Sequence, residues 1–172
     1  MTVEEAIKTA IQFETKVRDT YAHAAEAATD PAAQRVLRVL ATEEQGHLDY
    51  LSSRLTEWSK EGKVLPAVLK TVLPAREKIL EEMKKVRKQM HMGEAERKSA
   101  LETLKRAQDV ETETSAFYER MVATLPDAGA KAMFARFLEI EEGHNAFVAA
   151  EIDSVTGLGF WFDLREFDLE AG

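Results

Sequence analysis

Six residues of this 172-residue chain have types and spacing suited to metal chemistry: Glu14, Glu44, His47, Glu111, Glu141 and His144. Glu44 and His47 stand three apart, as do Glu141 and His144, and residues three apart on a helix share a face. Each Glu-x-x-His pair can therefore close on one cation, while Glu14 and Glu111 are free to bind terminally or to bridge. Four carboxylates gathered in a core without partners would suffer desolvation and mutual repulsion, and several would take up protons. Two divalent cations would neutralise all four. With 31 acidic residues in the chain a single Glu-x-x-His match is weak evidence. Two at matching positions, joined by two lone Glu, are strong evidence.

The elements that must position these residues are helices. Gly (8) and Pro (4) are scarce, which favours long helices over strands and turns. A first seam runs Val3, Ile7, Ala10, Glu14, Val17, Tyr21, Ala24, Ala28, alternating steps of four and three, the signature of a helix packed along one stripe. Asp30 and Pro31 restart the chain as N-cap and first helical residue. The second seam is Ala33, Leu37, Leu40, Glu44, His47, Leu51, ending between Trp58 and Gly62. Pro66 and Pro74 break the pattern, a short helix is predicted from about Ala75 to Gln89, and Gly93 closes the segment. The third helix carries Leu104, Ala107, Glu111, Thr114, Tyr118, Met121 and Leu125. After Pro126 and Asp127 the fourth carries Ala130, Phe134, Phe137, Glu141, His144, Val148 and Ile152.

The two halves repeat. Glu14 maps to Glu111, Tyr21 to Tyr118, Glu44 to Glu141, Gly46 to Gly143 and His47 to His144, all by one offset of 97. The expected fold is all-α: a four-helix bundle over 1–156, made of two hairpins related by a pseudo-twofold axis. Residues 60–94 form the long connection between helices 2 and 3, and 157–172 form an aromatic C-terminal tail.

Composition excludes several alternatives. The chain has no cysteine, which removes disulfides, thiolate zinc sites and iron–sulfur clusters. A net charge of −8 argues against nucleic acid as a partner. No run approaches the apolar length of a membrane span, and the acidic, amphipathic start MTVEEAIKTA lacks the features of a signal peptide. A cytoplasmic protein is the default expectation.

One Glu from each of two helices and Glu-x-x-His from the other two is the donor pattern of di-iron and di-manganese carboxylate bundles. The elements FETKVRDTY, EEQGH, VETETSAFY and EEGH, spread over residues 1–155, resemble the ferritin-like superfamily and, within it, the rubrerythrin di-iron domain. The resemblance implies a ferritin-like bundle whose non-haem di-iron centre reacts with dioxygen or hydrogen peroxide. It carries Glu14, Glu44, His47, Glu111, Glu141 and His144 over as ligands of two iron ions. Manganese and zinc also suit these donors. Two positions differ from that family: no cysteine is present for an appended rubredoxin centre, and Thr114 stands where a further Glu is usual. The expected activity is that of an oxidoreductase re-reduced by an external electron donor. Iron sequestration through ferroxidase chemistry is the alternative, and a structural bundle with a vestigial site is the third.

Tyr21 and Tyr118 lie seven residues beyond Glu14 and Glu111, where their hydroxyls could orient a ligand carboxylate across the bundle. Gly46 and Gly143 precede the histidines, and close approach of a neighbouring side chain would explain them. His23 should face solvent, and Met90-His91-Met92 reads as a helix end. Phe160, Trp161, Phe162 and Phe167 are an apolar load expected to pack on the bundle or in a homodimer.

Overall fold

The computed structural model describes residues 1–65, 68–73 and 93–157, together with Lys78, Gly159 and Trp161. Within them the chain is a four-helix bundle: α1 (Val3–Ala27), α2 (Pro31–Glu61), α3 (Glu94–Thr124) and α4 (Ala128–Gly157), with no strand among the described residues. Apart from Lys78, the short helix expected at 75–89 lies outside the described residues, as do the Met90-His91-Met92 cluster, Phe160, Phe162 and Phe167.

Local chemistry sets the helix ends. Thr2 and Glu5 form a capping box at α1, with the Thr2 N–H donating to Glu5 at 2.8 Å and the Glu5 N–H to Thr2 Oγ1 at 3.2 Å. Asp30 caps α2 by accepting from the Ala32 and Ala33 N–H groups at 2.7 and 3.0 Å, with Pro31 in the first turn. These exchanges satisfy donors that a helix start otherwise leaves orphaned. Gly62 ends α2 in the left-handed region at φ 63°, where a residue without Cβ is favoured. Asp127 accepts from the Ala130 N–H at 2.7 Å at the start of α4.

Helix α1 packs on α2 and α3 on α4, so each half is a hairpin, and the hairpins meet through α1 against α3. The seams point inward as expected, except at two helix ends: in α1 Ala25 is buried while Ala24 and Ala28 are half-exposed, and in α4 Val155 is buried while Ile152 is half-exposed. His23 is exposed. Two apolar clusters fill the core. One gathers Val17, Tyr21, Leu37, Leu40 and Phe147, and Trp161 of the tail joins it. The other gathers Ile7, Leu51, Phe117, Phe134 and Phe137. No described helix is long and apolar enough to cross a membrane.

The two interior glycines need a different explanation from close packing. A Cβ built on Gly46 or Gly143 meets nothing within 4 Å. Gly46 instead borders an open cavity. Since Gly in a helix costs about 1 kcal/mol relative to Ala, Gly46→Ala is expected to raise Tm by about 2–4 °C. A calorimetric scan checks this, and an unchanged or lower Tm would mean that the space at Gly46 is not free.

Candidate metal centre

Glu14, Glu44, Glu111, Glu141 and His144 are all 0% exposed and His47 is 1% exposed. Each comes from the middle of its helix and sits between the two apolar clusters, so the bundle brings all six expected residues to one level. Burial of this much charge is unfavourable unless something neutralises it. The apolar seams on either side hold the residues there regardless: each fully buried Leu or Phe contributes about 1.5–3 kcal/mol.

His47 Nδ1 lies 2.9 Å from Glu44, 3.1 Å from Glu14 and 3.4 Å from Glu141. His144 Nδ1 lies 2.8 Å from Glu44, 3.3 Å from Glu141 and 3.6 Å from Glu111. The imidazole rings are nearly parallel, 5.6 Å apart at 9°. Two donor sets result, Glu14–Glu44–His47–Glu141 and Glu44–Glu111–Glu141–His144, each with its donor atoms within 4.8 Å of one another. Glu44 and Glu141 belong to both sets. Glu44 and Glu141 are thus the carboxylates that two cations could share, while Glu14 and Glu111 would each serve one, a choice that spacing alone leaves open.

The donors fit divalent cations. Bonds of about 2.1 Å to N and O donors give polyhedron edges of about 3.0–3.4 Å, and the nitrogen–oxygen distances above bracket that range. Three buried carboxylate oxygens also lack a hydrogen-bond partner among the described residues: Glu111 Oε2 and both Glu141 oxygens. Native interiors rarely leave such groups unsatisfied. Pointed at one place and unpaired, they can hold metal ions.

The electrostatics of the metal-free cluster are those of proton sharing. Burial and the Glu44 charge push the Glu14 carboxyl up to about 8. Burial, with the Glu44 and Glu14 charges, pushes Glu141 well up too. Glu44 moves the other way: burial opposes ionisation, but the His144 and His47 charges and hydrogen bonds outweigh it. Both imidazoles are raised well above their ordinary value, because the carboxylates, Glu44 first, overcome the desolvation that favours neutrality.

Tyr21 donates to Glu111 and Tyr118 to Glu14. The two bonds are images of each other under the 97-residue offset and cross between the hairpins. Burial holds both phenols well above their usual range, with the accepting carboxylates adding to it, so each tyrosine keeps its proton and stays a donor. Such outer contacts orient a ligand carboxylate, and their loss typically costs 10–100-fold in metal affinity. Tyr118→Phe is expected to weaken binding at the Glu14 set by that factor while leaving the helix content unchanged. Competition with a metal-binding dye measures it, and an unchanged affinity would reduce Tyr118 to a core aromatic.

Sequence reasoning missed Glu43. It is 8% exposed, accepts the Val72 N–H at 2.7 Å, and places Oε2 3.6 Å from His144 Nε2. Burial opposes its ionisation, but the His144 hydrogen bond and charge, with Thr71 and the Val72 N–H, hold its carboxyl below the usual range. With His47 and His144 it forms a third close group of possible donors. The residue related to it by the offset is Ile140, so this carboxylate breaks the twofold symmetry of the site. Thr114 is fully buried and its hydroxyl donates to the Val110 carbonyl at 2.9 Å.

No protein-family model matches this chain, and neither does any curated protein or solved structure.

Proposed function

We propose that this chain is a non-haem di-iron carboxylate protein of rubrerythrin type, an oxidoreductase that reacts with hydrogen peroxide or dioxygen. The observation that carries the reading is the pair of four-donor sets sharing Glu44 and Glu141. Four carboxylates and two imidazoles match the charge of two divalent ions, and the family resemblance assigns those ions as iron. When bound, iron would supply one electron per ion to the oxidant.

The chain's own residues do the rest. Glu44 and Glu141 hold the two halves together, and Tyr21 and Tyr118 fix Glu111 and Glu14. Glu43 faces the outer nitrogen of His144. Phe137 stands edge-on to His47 at 5.4 Å, and with Tyr118 it keeps bulk water from one side of the centre. Without cysteine the chain carries no thiolate redox relay of its own, so electrons must come from a separate donor.

Anaerobic titration with Fe(II) followed by mixing with peroxide or dioxygen tests the proposal. Two ions per chain and repeated turnover with an added reductant are the expected result. Stoichiometric iron oxidation without turnover would favour sequestration. Failure to bind metal, with melting unchanged by Fe(II), would sink the reading.

A further inference from the structure

Beside the centre lies a cavity of about 680 Å³, within the size range of small-molecule sites. Buried Glu43, His47 and Leu69 form its floor, and exposed Arg38, Val68, Lys70 and Val72 form its rim. His47 belongs both to this floor and to a donor set, so a molecule seated in the cavity lies against the metal centre. The absent side chain at Gly46 leaves the space open, since an added Cβ there would meet nothing within 4 Å.

Two features select the occupant. The first is apolarity. Val68 and Val72 are 82% and 59% exposed, two of only four large apolar side chains so exposed among the described residues, and Val39 and Tyr50 continue the lining. The second is charge. In a chain of net charge −8, the rim carries Arg38 and Lys70, and neither has an ion-pair partner among the described residues. The floor carries the Glu43 carboxylate, which repels an anion. An anionic head is thus drawn to the rim and kept from the floor, while an apolar body is favoured between them.

We propose that this cavity binds an amphiphilic carboxylate, with its head at Arg38 and Lys70 and its alkyl end directed past Gly46 toward His47. As an assignment of the substrate class it rests on the oxidoreductase reading above; as a binding site it stands without it.

Calorimetric titration of the metal-loaded protein with decanoate, decan-1-ol and decylamine tests the proposal. Decanoate is expected to bind at least tenfold more tightly than the amine. The double substitution Arg38→Ala with Lys70→Ala should weaken decanoate at least tenfold and decan-1-ol little. Gly46→Leu should weaken both while the metal content stays at the wild-type value. In Mn(II)-loaded protein the terminal methyl protons of decanoate should broaden more than the α-methylene protons. Equal binding of the amine, no binding of decanoate, or an α-methylene broadened most would overturn the proposal. Protein that binds decanoate but takes up no metal would retain this inference and overturn the di-iron reading.

Discussion

Glu44→Ala is expected to empty both halves of the centre and to destabilise the metal-free bundle by about 3–5 kcal/mol. Spacing alone assigns Glu44 to one cation, with His47, and treats its removal as relief of repulsion among carboxylates. The geometry reverses both expectations. Glu44 lies within reach of both imidazoles, at 2.9 and 2.8 Å, and belongs to both donor sets. Although burial opposes it, His144 and His47 hold it well below the carboxylate range, so in the metal-free protein it is the anion that compensates two buried imidazoles. Taking one partner from a buried ion pair strands the other without solvation.

Glu141→Gln should behave differently. Burial and the charges of Glu44 and Glu14 already favour the neutral acid at Glu141, and glutamine keeps that shape and neutrality. The metal-free stability is expected to change by less than about 1 kcal/mol, while metal is lost because the amide is a poor bridging donor. Metal analysis of both variants, with urea unfolding of their metal-free forms, separates the two roles. A Glu44→Ala protein that keeps one ion, or that unfolds later than wild type, would overturn the assignment of Glu44 as the shared anion.

Most of the architecture was legible because two signals coincide. The four-and-three seams predict which face each helix buries, and the constant offset says that the faces with Glu14, Glu44, Glu111 and Glu141 meet at one level. The caps were equally readable at Asp30, where side-chain chemistry acts on the next three residues. What escaped depends on contacts distant in sequence. Glu43 sits one residue before the seam, about 100° round the helix, where periodicity reads a solvated residue. It is buried because residues 69–73 pass over α2 and present the Val72 N–H to it, and nothing local in an irregular segment between Pro66 and Pro74 predicts that path. The same segment walls the cavity. It follows that the openness at Gly46 was misread as close packing, since a glycine alone does not say whether its missing side chain makes room for protein or for ligand. The sharing of Glu44 and Glu141 was likewise hidden, because it depends on how the two hairpins rotate against each other.

Loading the metal-free protein at pH 7 is expected to release up to four protons per chain. Coordination requires neutral imidazole and ionised carboxylate. Glu14 is raised to about 8, and His47, His144 and Glu141 are all raised well above their ordinary values, so each of the four favours its protonated form and cations must displace the protons it holds. The same shifts fix how metal stabilises the fold. A group whose folded value is raised contributes stability that is fully present below its unfolded value and lost as pH rises through its folded value. For Glu14 that window runs from 4.5 to about 8, and the histidines lose theirs above 6.5. Glu44, held low, contributes above 4.5 and loses its share only as pH falls through its depressed value. Raising the pH from 6 to 9 therefore strips the metal-free bundle of the protons that balance its core, whereas bound cations replace them. The gap in Tm between loaded and metal-free protein should widen across that interval. Calorimetric titration in buffers of different ionisation enthalpy counts the released protons directly. Release of fewer than one proton per chain at pH 7, or a Tm gap that stays constant between pH 6 and 9, would show that the cluster does not store protons in place of metal.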